Sequence, residues 1–308
     1  MPVISIILAA YNAEMTIARM LNSIKAQTFA DWELIAVDDG SSDSTGQILD
    51  NYAKNDGRIR VIHKPNCGVA AARQDGIDVA MGEYTIHADS DDWIEPDMLH
   101  EMLITAQKED ADIVITDFYT DIEGKSTISK QTPSSLSSAD ILYGLYAKGL
   151  FGGLWHKLIK KSAYDKALAY FIPGINYCED LLLLTQILSR TTPKIVYLPK
   201  AFYHYVVNKD SLTQKVTASG LTSMRRFHQE AIKLLPNNAQ YQAVRKSFEK
   251  NVFIVCFINR LYGSQSELRK EYHRLKPILL SSSGLRWKLG YRCIGLGLTE
   301  LAHRFIKY

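Results

Sequence analysis

The sequence predicts an α/β fold built on a largely parallel sheet, and three observations carry that expectation. From residue 1 to about 117, apolar runs of strand length alternate with segments whose apolar residues recur at helical spacing. The links between them are short, as compact βα units require. Two of the strand-like runs end in clustered aspartates: Leu34-Ile35-Ala36-Val37 leads into Asp38-Asp39-Gly40-Ser41, and Tyr84-Thr85-Ile86-His87-Ala88 into Asp89-Ser90-Asp91-Asp92.

Taken in order, Val3 to Ala9 is the first strand, and Ile17, Met20, Leu21 and Ile24 then mark one face of a helix. Trp32 to Val37 is the second strand, followed by a helix carrying Ile48, Leu49 and Tyr52. Ile59 to Ile62 is the third, and Val69 to Ala80 is a helix of small residues after the Asn66-Cys67-Gly68 turn. Glu83 to Ala88 is the fourth strand; a helix from Pro96 and a fifth strand at Asp112 to Thr116 follow the second acidic cluster. Between Phe118 and Ala139 the composition turns polar, with Glu123-Gly124 as a hairpin turn. Helical patterning returns at Ala139 to Lys148, breaks at Gly152-Gly153, and resumes at Glu179 to Ser189. Strand-like stretches at Lys194 to Leu198 and Phe202 to Val207 precede a remainder that reads as helical from about Ala218. The chain therefore divides into regions 1–117, 118–215 and 216–308.

Bulk properties narrow the function classes. A chain of 308 residues with 46% hydrophobic composition supplies an ordinary core, and a net charge of +3 gives no ground for nucleic-acid binding. Cys67, Cys178, Cys256 and Cys293 lie far apart, with neither zinc-site nor disulfide-framework spacing, which fits a reducing cytoplasm. Val3 to Ala10 is too short for a secretory segment and no basic residue precedes it. No stretch reaches the roughly 20 apolar residues that spanning a bilayer takes. Charge is uneven along the chain: residues 263–308 hold nine Lys and Arg against three Glu, an excess of +6. The segment 285–308 mixes those cations with Trp287, Leu289, Tyr291, Leu296, Leu298 and Phe305. Two readings fit it, a helix lying on an anionic membrane face or a packed terminal helix with a solvated basic side.

The aspartate clusters point to a site. Crowded carboxylates repel one another and persist where a cation or a hydrogen-bonding ligand sits among them. Either cluster alone reads as a turn or a helix cap. Both sit beyond the carboxyl ends of strands, where open α/β sheets bind ligands, and that shared placement favours function.

The residues then resemble the GT-A glycosyltransferases of family 2. The resemblance rests on Ser5-Ile6-Ile7-Leu8-Ala9-Ala10-Tyr11-Asn12, Ser23-Ile24-Lys25-Ala26-Gln27-Thr28, Val37-Asp38-Asp39-Gly40-Ser41-Ser42-Asp43, Asn66-Cys67-Gly68-Val69-Ala70-Ala71-Ala72-Arg73 and Asp89-Ser90-Asp91-Asp92, and it spans roughly residues 3 to 215. It implies a Rossmann-like nucleotide-binding sheet in 1–117 and an acceptor-binding and catalytic-base half in 118–215, to which the patterning and charge of 216–308 add a helical C-terminal extension with a basic amphipathic tail. It also implies an inverting transfer of one sugar from a nucleotide-sugar donor, UDP-linked, to a glycan or lipid-linked oligosaccharide hydroxyl in bacterial surface-polysaccharide synthesis. The place of work would be the cytoplasm, at the inner membrane face.

Residue by residue, the resemblance implies that Ala9, Tyr11, Asp38, Asp39, Arg73, Asp89, Ser90 and Asp91 line the nucleotide. Tyr11 is suited to stack on uracil and Asp39 to accept from its N–H. Lys209 and Ser211 would contact the diphosphate. Asp89-Ser90-Asp91 matches the D-x-D element that holds Mg²⁺ or Mn²⁺, with Asp91 central and Asp89 and Asp92 as further candidates for the metal. Asp180 matches the general base, while Glu179, Trp155 and Lys157 fall on the acceptor side. Ala10 stands where the family often has proline and His156 where it often has asparagine. Arg286-Trp287 lacks the upstream glutamine of processive synthases, which favours addition of a single sugar. Two other readings remain open on the residues: a sugar nucleotidyltransferase, disfavoured because Ala9 to Ala13 holds no glycine, and a catalytically silent nucleotide- or glycan-binding partner protein.

Overall fold

The computed structural model describes residues 1–207, 218–281 and 284–306. Two compact units are formed, residues 1–145 with 150–234 and residues 146–149 with 235–308.

The first unit begins with four parallel strands and the helices between them: β1 (Ile4–Ala10), α1 (Ile17–Lys25), β2 (Trp32–Asp38), α2 (Thr45–Asn55), β3 (Ile59–His63), α3 (Val69–Val79) and β4 (Tyr84–Asp89). They lie in the order β3-β2-β1-β4, so the chain starts in the middle, builds to one side, and crosses back to pair β4 with β1. That reversal opens a crevice beyond the carboxyl ends of β1 and β4, where Ala9 pairs with both Val37 and Asp89. β1 and β2 are buried along almost their whole length, so both read as continuous apolar runs rather than alternating ones.

Beyond β4 the sheet becomes mixed. The short β5 (Trp93–Ile94) and α4 (Met98–Glu109) lead into β6 (Ile113–Ile122), which turns at Glu123-Gly124, both at positive φ, into β7 (Lys125–Ser129). Then come α5 (Ser138–Tyr143) with a π-helical turn over Gly144–Lys148, β8 (Lys157–Lys160), α6 (Lys161–Ala167), α7 (Glu179–Arg190), β9 (Ile195–Val206) and α8 (Ala218–Leu234). β8 runs antiparallel between β4 and β6, and β9 lies parallel to β6 with β5 antiparallel at its far side. The expected pair of strands at 194–207 is thus one strand. Its partner β6 shifts register at Asp117, pairing Thr116 with Leu198 but Asp117 with Ala201, so Pro199-Lys200 bulges out and interrupts the strand pattern.

The second unit contains α9 (Gln242–Ile258), α10 (Gln265–Ser281), α11 (Leu285–Gly295) and α12 (Thr299–Phe305). Phe253, Phe257, Tyr272, Leu275, Leu279, Tyr291 and Ile294 fill its core. No helix among the described residues is long and apolar enough to cross a membrane.

Candidate active site

The loops at the carboxyl ends of β1 and β2 are laced together. Asn12, held at φ 48°, donates its N–H to Ser41 Oγ (3.0 Å) and accepts from Ser42 N–H through Oδ1 (2.8 Å). Tyr11, beside it, presents an exposed ring. Asp39 accepts from two successive backbone N–H groups, Cys67 at 2.9 Å and Gly68 at 2.8 Å, and so fixes the turn before α3. Gly68 has φ +88°, and a Cβ there would collide with Asn176, whose Oδ1 accepts from Ala70 N–H at 3.2 Å. Asp38 faces elsewhere: Oδ1 accepts from Ser41 N–H (3.0 Å) and Oδ2 lies 3.0 Å from His63 Nδ1. Burial pushes its pKa upward, but the bonds to Ser41 and His63 outweigh that and hold the carboxyl below its ordinary value. Asp38 therefore braces the loop beneath Asp39, with both its oxygens engaged.

The second acidic loop follows β4. Asp89 donates its N–H to Tyr203 Oη (3.0 Å) on β9, and the Tyr203 hydroxyl in turn donates to Asp92 Oδ2 (2.9 Å). Asp92 Oδ1 accepts from Val206 N–H at 2.8 Å. The Asp92 side chain is buried, and burial together with repulsion from Asp89 and Asp91 drives its pKa well above the ordinary range. Asp92, expected among the metal ligands, directs both oxygens to β9 and anchors the loop that Asp89, Ser90 and Asp91 present. Arg19 on α1 closes the loop from the other side, donating to the Asp91 carbonyl and, at 3.5 Å, to that of Asp92. Sequence reasoning missed Arg19, because an arginine on an amphipathic helix reads as an ordinary polar face.

Arg73 joins this loop to α7. Its guanidinium is buried; Nη2 donates to Asp89 Oδ1 (2.7 Å), and Nη1 to Glu179 Oε1 (2.6 Å) and to Asp180 Oδ1. The other Asp180 oxygen accepts from Leu154 N–H at 3.2 Å. Burial pushes the Asp180 carboxyl up to about 7; Arg73 opposes that shift, while Glu179 and Asp89 add to it. Glu179 is raised for the same reason, with Arg73 again opposing. Residues from β4, α3 and α7 thus meet in one cluster in which a single cation faces three carboxylates. Among the described residues, no three His, Cys, Asp or Glu side chains are placed to enclose a metal ion by themselves.

Trp155 and Lys157 lie beneath this cluster, not on its surface. Trp155 is 2% exposed, stacks on Tyr203 with centroids 4.2 Å apart, and meets Phe118 edge-on at 4.8 Å. The buried Lys157 Nζ donates to the carbonyls of Phe151 (2.8 Å) and Gly153 (2.7 Å) and contacts His156 Nε2 (2.7 Å). Burial holds the Lys157 amine well below the usual lysine range. The expected acceptor contacts from these two side chains are corrected accordingly: both support the 151–154 segment from inside. Lys209 and Ser211 lie outside the described residues.

A Rossmann-like half continued by a mixed sheet, with its acidic loops at one edge, defines the GT-A class of fold. The family model described as "Glycosyl transferase family 2" matches residues 5–168, and the chain belongs to that family of glycosyltransferases. EpsH of Bacillus subtilis (strain 168), which carries a glycosyltransferase name, is 30% identical over 288 residues, covering 90% of this chain and 82% of that protein. The uncharacterized glycosyltransferase EpsJ of the same organism is 30% identical across 69% of this chain and 63% of its own length, a little under two thirds. Among solved structures, S. aureus TarS 1–349 in complex with UDP-GlcNAc superposes with a TM-score of 0.73 at 19% identity, over 99% of this chain and 90% of that one.

Proposed function

We propose that this glycosyltransferase moves one sugar, with inversion, from a UDP-linked donor to a hydroxyl of a glycan or lipid-linked oligosaccharide in surface-polysaccharide synthesis. The observation that carries the reading is the Arg73 cluster, which brings Asp89 of the D-x-D loop and Asp180 of α7 onto one guanidinium. The UDP-GlcNAc complex of TarS supports a UDP-linked donor.

Asp89 and Asp91, with Tyr11, Asp39, Ala9 and Ser90 nearby, form the donor side. A divalent cation suits this site: three carboxylates around one arginine leave an excess of negative charge, and the available donors are hard oxygens. Asp91 and Asp89 would hold Mg²⁺ or Mn²⁺, which typically takes one or two carboxylates and completes its shell with substrate phosphate. Such an ion, when bound, neutralises charge on the departing diphosphate. Asp180 is the general base. It takes the proton from the acceptor hydroxyl as that oxygen bonds to the anomeric carbon; the bond from that carbon to the diphosphate breaks, and UDP leaves with the electron pair. A single displacement of this kind inverts the anomeric centre.

Calorimetry with UDP and Mn²⁺ tests the donor side. Asp91→Ala should abolish the metal-dependent part of UDP affinity, and unchanged metal dependence would refute the assignment. Assays with UDP-sugars test turnover through the appearance of free UDP; release of pyrophosphate from UTP and a sugar 1-phosphate would instead mark a nucleotidyltransferase.

A lipid-linked acceptor places the enzyme at a membrane face, and α11 is suited to that. Leu285, Leu289, Arg292 and Leu296 recur at i, i+4, i+7 and i+11 and are exposed, with Leu285 at 75% and Leu296 at 74%. The core-facing Tyr291 and Ile294 lie on the opposite side of the same helix, and Arg286 and Lys288 flank the leucine stripe. Each cation near an anionic surface contributes about 1 kcal/mol, so replacing Arg286, Lys288 and Arg292 by glutamate should weaken partitioning by roughly a hundredfold or more. Sedimentation with phosphatidylglycerol vesicles measures it; equal sedimentation of variant and parent would leave α11 as ordinary packing.

A further inference from the structure

With Trp155 enclosed, a different ring of the segment that bonds Asp180 through Leu154 N–H reaches solvent: Phe151, 36% exposed. Large apolar rings at a surface are ordinarily mobile, but this one stands on a backbone fixed at both ends. Its N–H donates to Oε1 of the buried Gln131 at 2.6 Å, and its carbonyl accepts from the buried Lys157 Nζ at 2.8 Å. Gln131 is itself held, its N–H donating to Asp117 Oδ1 at 2.6 Å. Burying a lysine amine costs far more than leaving it in water, and here the amine spends its donors on the carbonyls of Phe151 and Gly153 and on His156.

The ring's inner side is equally defined. It packs against Phe118 (centroids 5.3 Å), Trp155 (5.2 Å) and Tyr205 (5.9 Å). Gly153 is needed for this arrangement, since a Cβ there would lie 2.8 Å from both Phe151 Cε1 and Trp155 Nε1. The same short segment reaches the base directly: a Cβ on Gly152 would touch Leu181, the residue after Asp180, at 3.2 Å, and Leu154 N–H donates to Asp180 Oδ2. Phe151 thus belongs to the same short segment that meets α7 at Leu181 and Asp180.

We propose that Phe151 is the platform on which the acceptor sugar ring lies by its apolar C–H face, with a hydroxyl directed to Asp180. This rests on the assignment of Asp180 as the base, and it names the acceptor's contact chemistry: a pyranose with a continuous axial C–H face. Gln131 and Lys157 are positioning residues that act through the Phe151 backbone. An aromatic face is matched by C–H groups, whereas the buried Trp155 offers neither face to a ligand.

Saturation-transfer NMR tests this with methyl β-glycosides of glucose, galactose, N-acetylglucosamine and N-acetylgalactosamine as probes, in the presence of UDP and Mg²⁺. In the parent protein, saturation should reach the H1, H3 and H5 protons of at least one glycoside. Phe151→Leu, which keeps apolar bulk without a ring face, should weaken that glycoside's binding roughly tenfold, the magnitude of one lost aromatic contact. Phe151→Trp should restore it. Equal glycoside affinity in Phe151→Leu, or no saturation of any glycoside by the parent, overturns the proposal. UDP affinity, read in the same samples, should be equal in all three proteins; its absence from the parent would count against the nucleotide reading, while the glycoside signal still judges the platform.

Discussion

Asp180→Asn should lower the rate of sugar transfer by about two to four orders of magnitude while leaving UDP affinity within a few-fold of the parent. The substitution keeps the side chain's size and one carbonyl oxygen, so the contact with either Arg73 or Leu154 N–H survives, but no site remains to take the acceptor's proton. The donor loop keeps its anchors to Tyr203 and Arg19. The pH profile supplies a second signature. Burial raises the Asp180 carboxyl to about 7, so below that pH the folded enzyme holds it protonated and unable to act as a base. The parent's rate should therefore fall about tenfold per pH unit below 7 and level off above it, whereas the residual rate of Asp180→Asn should lack this limb. Initial rates of UDP release at saturating donor, measured from pH 5 to 9, give both comparisons. A variant that keeps the acid limb would assign the titration to another group.

The strand-end aspartates were legible because two unrelated signals coincide at them: a buried parallel strand reads as an unbroken apolar run, and the polar residues that stop it are those the crevice exposes. Asp39 and Asp89 could be named on that basis, and Asp180 by resemblance alone. What each oxygen does could not be. Asp38 and Asp92 are indistinguishable in sequence from their neighbours, yet one turns to His63 and the other to Tyr203 and Val206, partners 25 and 111 to 114 residues away. The inward turn of Trp155 and Lys157 was hidden for a related reason. β8 is only four residues long, begins and ends with lysine, and is buried at Lys157 because the carbonyls of Phe151 and Gly153 wait there for a donor. A lysine in an apolar stretch signals a surface in sequence; only tertiary placement shows the acceptors that make its burial possible. The hairpin at Glu123-Gly124 lies at the other extreme, since a turn needing positive φ can be read from residue type alone.

Arg73→Met tests what holds the two halves of the site together, and its expected effect on stability is the largest of any single change considered. Methionine fills a similar volume along the α3 face but leaves Asp89, Glu179 and Asp180 crowded without their cation. Breaking a buried pair by removing one partner typically costs about 3–5 kcal/mol, because the remaining charges stay desolvated. Here the cost must depend on pH, and its sign follows from the protons bound. Asp180 and Glu179 already have folded-state pKa values above their unfolded ones, and removing Arg73, which opposes that shift for both, raises them further. The folded variant then binds more protons than the unfolded chain between the ordinary carboxylate pKa and the raised folded value, so its stability falls as pH rises through that window. Arg73→Met should be nearest the parent at about pH 5 and most destabilised at about pH 8. Arg73→Lys should lie between the two, since an ammonium keeps the charge but cannot span three carboxylates on two elements with a planar fork. Urea unfolding of the three proteins at both pH values measures these differences; a penalty for Arg73→Met that is the same at pH 5 and pH 8 would mean that packing, not charge, is what Arg73 contributes.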